Sequence, residues 1–290
     1  MSSIRSILED VLQIYEGTAV ASVMDEWGEI YIMDDGDFRI LMFDYLYEQS
    51  KMRLSAPHVP VFDYTKAMLA VVRFQKPQTA LLLGLGGGSL VRSLHQVFPE
   101  LKQTVVEIRP LMIEMAFSHF NLPVSEHIQI IQSDAKLYLQ QGVRQFDIIM
   151  ADLFWALAMD PMQTQKDFLL LCRRNLAPNG WLVINYDQRD HVKPELVSIL
   201  YQYFDDVFLY VTPNGNAVLY AGALKHSVSQ SQQLAKLQQL GLTLESDFET
   251  IAAAMIRLNS PSVQLTDEDD YGKENSTAYH TDRSRQKAGV

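Results

Sequence analysis

Five short apolar runs, rich in β-branched residues, divide the middle of the chain: TALLLG (79–84), TVVEI (104–108), HIQII (127–131), DIIMA (147–151) and WLVINY (181–186). Helical patterns near residues 89–98, 109–119, 134–141 and 161–175 separate them. Strands that alternate with helices at this spacing bury both faces only in a parallel sheet with helices on each side. The end of the pattern differs. DVFLYV and NAVLYAG flank T-P-N-G-N at residues 212–216, which predicts a hairpin. A parallel sheet closed by an antiparallel hairpin is not the pair of mirrored halves expected of a dinucleotide-binding domain.

The flanks read as appendages to that sheet. Ile4, Ile7, Leu8, Val11, Leu12 and Tyr15 recur at helical spacing, and Gly17 closes the pattern. TAVASVM, GEIYIMDDG and DFRILMF, punctuated by Gly28 and Gly36, predict a small antiparallel sheet between about residues 18 and 44. Residues 62–75 read as helix and lead to Pro77. After Leu258 the chain is polar and nearly free of aliphatic side chains, which predicts a flexible tail. The expected division is an N-terminal helix and β-domain over 1–57, a main domain over 58–258 and a tail over 259–290.

Bulk properties narrow the partners. With 48 % hydrophobic residues in 290, a sizeable core needs no staples. The single cysteine, Cys172, forms no intramolecular disulfide and points to a reducing, cytoplasmic compartment. The first residues carry charges through their apolar positions, so no signal peptide is expected. No apolar run approaches the roughly 20 residues of a membrane helix, so no membrane partner is expected. A net charge of −11 disfavours nucleic acid and suits a cationic small-molecule substrate, an amine among them. The histidines lack metal-ligand spacing, and DEDDYG fails as a calcium loop because Tyr271 and Ala278 occupy ligand positions. No metal is expected.

Chemistry concentrates at successive strand ends. Gly84-Leu-Gly86-Gly87-Gly88-Ser89 follows the first strand and opens a helix, whose N-terminus adds a positive dipole end. It reads as a nucleotide-type loop or as a plain packing turn. Glu107 ends the second strand, where an acid accepts from both ribose hydroxyls or is simply a surface acid. Asp134, between Ser133 and Ala135, follows the third; it either accepts from an adenine amino group beside a backbone N–H or caps the next helix. Asp152, beside Phe154 and Trp155, ends the fourth and reads as a desolvated proton acceptor or as a solvated rim acid. Phe154, Trp155 and Phe168 either line an acceptor pocket or belong to the core, and Cys172 reads as core.

The ordered motifs L82-L83-G84-L85-G86-G87-G88, V105-V106-E107-I108, S133-D134-A135, F146-D147-I148-I149-M150-A151-D152 and N175-L176-A177-P178-N179-G180 resemble those of spermidine synthases over about residues 20–222. The resemblance implies a methyltransferase-type, Rossmann-like α/β sheet with a small N-terminal β-domain. It also implies donor binding by Gly84–Gly88, ribose contacts from Glu107, adenine recognition at Asp134 and deprotonation of an attacking amine by Asp152. A homo-oligomer is implied on the same ground. Three positions depart from the family pattern. Ser89 stands for an acid that grips the donor amine, Trp155 for a second carboxylate, and Tyr64-Thr65-Lys66 for an element ending in an acid. The leading expectation is therefore an alkyl transferase using intact S-adenosylmethionine, a methyltransferase, with Ser89 selecting that donor. The alternatives are polyamine aminopropyl transfer from decarboxylated S-adenosylmethionine, and a non-catalytic nucleoside-binding or interaction protein.

Overall fold

The computed structural model describes residues 17–43, 47–142, 144–155, 158–187, 192–225 and 230–260. The N-terminal helical pattern and the polar tail beyond Ser260 lie outside the described residues. Two sheets form. The smaller is an antiparallel meander of β1 (Thr18–Asp25), β2 (Gly28–Asp35), β3 (Phe38–Phe43) and β4 (Tyr47–Arg53). Three of these strands follow the expected runs. The fourth, YEQSKMR, escaped the sequence reading because only Ser50 and Met52 along it turn inward.

After β4 come α1 (Asp63–Leu69) and a 3-10 turn over Ala70–Arg73, where one continuous helix was expected. The main sheet then contains β5 (Thr79–Leu83), β6 (Lys102–Glu107), β7 (Ile128–Gln132), β8 (Phe146–Ala151), β9 (Leu176–Asp187), β10 (Asp206–Val211), β11 (Asn216–Gly222) and β12 (Ile256–Arg257). Its helices are α2 (Ser89–Val97), α3 (Pro110–His119), α4 (Ala135–Gln141), α5 (Lys166–Asn175), α6 (Pro194–Tyr203), α7 (Gln230–Leu244) and α8 (Phe248–Ala253). The expected 161–175 helix is split by extended Gln165 into a 3-10 turn, Pro161–Thr164, and α5.

The strand order is β12-β10-β11-β9-β8-β5-β6-β7. Strands β5 to β9 run parallel, while β9, β11, β10 and β12 pair antiparallel. Alternate residues of β5 serve opposite faces: Ala80 and Leu82 join one core, and Leu81 and Leu83 join the other. Two buried faces explain why the strand reads as an unbroken apolar run. The small sheet has its own seam. Ile30, Ile32, Leu41 and Met52 pack with Met112, Met115 and Phe120 of the α3 segment. That contact holds the small sheet over the carboxyl ends of the parallel strands. The order reverses between β5 and β8, the place where open α/β sheets bind ligands.

Candidate active site

At the reversal the loop after β5 meets the end of β8. The Asp152 N–H donates to the Leu83 carbonyl at 2.9 Å, and the Gly84 N–H donates to that of Val106 at 2.9 Å. Gly84 has φ +94°, and a Cβ there would run into the Asp152 carbonyl oxygen. Only glycine lets the two strand ends approach this closely. Gly86 opens onto free space, and Gly84, Leu85 and Gly86 line a cavity of about 950 Å³.

Gly87, Gly88 and Ser89, expected at the donor, do not line that cavity. A side chain at Gly87 would press on Ser50 and Phe120, and one at Gly88 on Leu122. These two glycines serve packing between α2, the small sheet and the segment after α3. Ser89 is the first residue of α2, beyond the turn that faces the cavity. Buried Arg92 fixes this turn by donating to the carbonyls of Gly87, Phe120 (2.6 Å) and Pro57 (2.7 Å), and burial lowers its pKa to about 9.

Glu107 is 8 % exposed. Its Oε2 accepts the Leu85 N–H at 2.9 Å and its Oε1 the Arg109 N–H at 2.9 Å, so one carboxylate joins the glycine loop to the start of α3. Burial raises its pKa, while these backbone donors and the Arg109 charge oppose the rise. Asp134 caps α4, its Oδ1 accepting the Leu137 N–H at 2.8 Å, and the residue lines the cavity with Ser133 and Ala135.

Asp152 faces the same cavity from the end of β8. Burial raises its pKa to about 6, against a donation from Asn185 Nδ2 to Oδ1 at 2.8 Å. Tyr64, on α1, also lines the cavity; burial first, then the Asp152 charge, holds its hydroxyl protonated far above the usual range. The adjoining Lys66 pairs with Asp63 at 3.0 Å and is not on the main cavity wall, so no lysine charge enters the site from this element.

Sequence reasoning missed the roof. Trp27, in the β1–β2 turn, stacks on Trp155 with ring centroids 5.7 Å apart and planes at 25°. Arg109 clamps that turn by pairing with Asp25 (2.7 Å), donating to the Gly28 carbonyl (3.1 Å) and covering the Phe43 ring (4.8 Å). Asn185 was missed as well, although a lone amide inside the apolar β9 run was its available signal. Phe154 lines the cavity beside Trp155, whereas Phe168 and Cys172 are fully buried core residues. Among the described residues no group of three or more His, Cys, Asp or Glu side chains is placed to hold a metal ion, and no helix is long and apolar enough to cross a membrane.

The family model for a methyltransferase domain matches residues 81–184, which run from β5 into β9 and include every strand end just described. The chain is 30 % identical over 180 residues to the polyamine aminopropyltransferase of Neisseria meningitidis, covering 61 % of this chain and 68 % of the relative. It belongs to that family. The polyamine aminopropyltransferase of Chromobacterium violaceum is 28 % identical over 221 residues, covering 75 % of this chain and 85 % of the relative. A probable spermidine synthase from Corynebacterium glutamicum superposes with a TM-score of 0.65 at 20 % identity, covering 77 % of this chain and 87 % of that one. Membership makes the chain a spermidine-synthase-like enzyme of the S-adenosylmethionine-type transferase class.

Proposed function

We propose that the chain transfers an aminopropyl group from decarboxylated S-adenosylmethionine to a small amine. The observation that carries this reading is the charge on the cavity wall. Among the described residues the wall bears Glu48 and Asp63, paired with Lys51 and Lys66, and Glu107, Asp134, Asp152 and Asp160, against a single lining cation, Arg109, which is already paired with Asp25. Such a field attracts a sulfonium and an ammonium. It disfavours the carboxylate of intact S-adenosylmethionine, which finds no unengaged cation on this wall. Ser89, one of the three departures behind the expectation of methyl transfer, is not on this wall.

In this reading Gly84 to Gly86 let the donor lie against backbone, Glu107 receives the ribose hydroxyls, and Asp134 with the Ala135 N–H receives the adenine. The acceptor nitrogen attacks the propyl carbon next to sulfur. The new C–N bond forms as the C–S bond breaks, its electron pair neutralises the sulfonium, and methylthioadenosine leaves. The nitrogen becomes more acidic as it gains positive charge, and Asp152 takes its proton. Holding both reactants in line supplies most of the rate gain. A carboxyl with a pKa near 6 is ionised at pH 7 to 8 and is a stronger base than an ordinary aspartate.

The test is product identification by mass spectrometry with each donor and a panel of amines. Release of methylthioadenosine from the decarboxylated donor is expected. Release of adenosylhomocysteine from the intact donor, with the decarboxylated one inert, overturns the reading. In parallel, the decarboxylated donor at about a hundred times its Kd raises stability by about 2.7 kcal/mol.

A further inference from the structure

We propose that Asn185 and Asn216 position the Asp152 carboxylate, so that the β10–β11 hairpin turn decides which of its oxygens faces the acceptor. The inference rests on the reading of Asp152 as proton acceptor. Asn185 is 2 % exposed near the carboxyl end of β9, where an amide is costly unless both its ends are bonded. Both are. Its Nδ2 donates to Asp152 Oδ1 at 2.8 Å, and its Oδ1 accepts from Asn216 Nδ2 at 3.3 Å. An amide alone can sit either way round. Here an ionised carboxylate only accepts, so the NH₂ must face Asp152, and the oxygen then meets the NH₂ of Asn216.

The backbone sets up this relay. Ala151 is in register with Ile184, which brings Asp152 alongside Asn185. Val218 is opposite Asn185 and Asn216 is opposite Asp187, so Asn185 and Asn216 are diagonal neighbours on one face. Asn216 is itself fixed: its N–H donates to Thr212 Oγ1 at 3.0 Å, and the Thr212 N–H donates to its carbonyl at 2.8 Å. Thr212, Asn214, Gly215 and Asn216 all line the cavity. One Asp152 oxygen is thus held from β9, and the other is left to the acceptor. The remaining titratable groups on this part of the wall are Tyr64 and Asp63 from α1 and Asp160 from the segment after β8. Asp63 is paired with Lys66, and Asp160 caps the 3-10 turn through the Met162 N–H at 2.8 Å. Asn185 is the neutral donor that favours the charged form of Asp152.

The experiment follows the carboxyl carbon of Asp152 by NMR in the full chain labelled at aspartate, with the resonance assigned by its loss in Asp152→Asn. No turnover is needed. Asn185→Leu removes the donor and should raise the Asp152 midpoint by about one unit or more. Asn216→Ala frees the amide to rotate and should raise it in the same direction by a smaller step. Methylthioadenosine affinity should stay within about twofold in both variants, because neither residue belongs to the nucleoside end. An Asp152 midpoint in Asn185→Leu within about 0.3 unit of the parent overturns the proposal. If that variant no longer binds methylthioadenosine, Asn216→Ala decides alone, and an unmoved midpoint there overturns it. If the midpoints move as expected while Asp152→Asn keeps full turnover, the positioning stands and the proton-acceptor reading falls.

Discussion

The two ends of the cavity are held by different kinds of bond. At the end where the proposed function places the nucleoside, side chains bond to backbone: Glu107 to the N–H groups of Leu85 and Arg109, Asp134 to that of Leu137. At the end where it places the acceptor, most ties join side chains, Asp152 to Asn185, Asn185 to Asn216, Asp63 to Lys66 and Asn214, Trp27 to Trp155, with Asp160 alone among these acids bonded to backbone, at Met162. Backbone partners are fixed by strand order and are the same for any sequence that takes the fold. Side-chain partners change by substitution. In the proposed function the donor lies where partners are fixed by the fold and the acceptor where substitution can change them, and Trp155, one of the departures from the family pattern, lines the cavity at that second end.

The largest effect expected at the acceptor end is that of Asp152→Asn. If Asp152 accepts the proton, turnover falls about a hundredfold or more, while donor affinity measured by calorimetry barely moves. The same variant should be more stable than the parent at neutral pH. The folded pKa of about 6 lies above the ordinary 3.8, so the native state binds this proton more tightly than the unfolded chain. Stability from this group is therefore complete below about pH 4, is lost as pH rises towards 6, and stays lost above it. The asparagine avoids that loss. A gain of about 1–3 kcal/mol at pH 8 that vanishes at pH 4, read by chemical denaturation, is expected. Collapse of donor binding with normal turnover at saturation would reassign the residue to the nucleoside end and erase the distinction between the two ends.

Next in size is Glu107→Ala. It removes the carboxylate that receives the ribose in the proposed function and also the tie between the glycine loop and α3. Nucleoside affinity should weaken by about 1.5–3 kcal/mol for each charge-assisted bond lost. The acceptor KM, measured at donor saturation, should change little. Unchanged affinity for every adenosyl ligand would remove the nucleoside site from this cavity.

The same contrast governs what could be read from the sequence. The glycine loop, Glu107, Asp134 and Asp152 were legible because each ends a strand or opens a helix, and local pattern alone places strand ends. Even there, pattern did not separate Gly84 and Gly86, which face the cavity, from Gly87 and Gly88, which face Ser50, Phe120 and Leu122. That difference depends on what packs behind the loop. β9 begins at Leu176, five residues before the expected 181, because Leu176 pairs with Phe146 across an irregularity in register. No local signal marks such a pairing. Trp27 carried no local signal as a site residue, and the lone amide of Asn185 could be given no role, because their partners, Trp155 and Asn216, are distant in sequence and meet them only through sheet order and the seam on α3.

The smallest expected effect is the sharpest probe of separability. Trp27 sits in the β1–β2 turn and Trp155 in the segment after β8, and Arg109 clamps the turn that carries Trp27 while its backbone N–H serves Glu107. If the two ends act independently, Trp27→Ala should cost the acceptor end only the worth of one aromatic pair, about 0.5–1.5 kcal/mol. That is a rise of roughly two- to tenfold in acceptor KM at saturating donor. Nucleoside affinity should stay within about twofold, because the Asp25–Arg109 pair and the Glu107 contacts remain in place. Measuring both constants on one preparation makes the comparison direct. A loss of nucleoside affinity with an unchanged acceptor KM would mean that the β1–β2 turn works through Arg109 on Glu107. The small sheet would then belong to the nucleoside end, and the line between backbone-held and side-chain-held halves would have to be redrawn through Arg109.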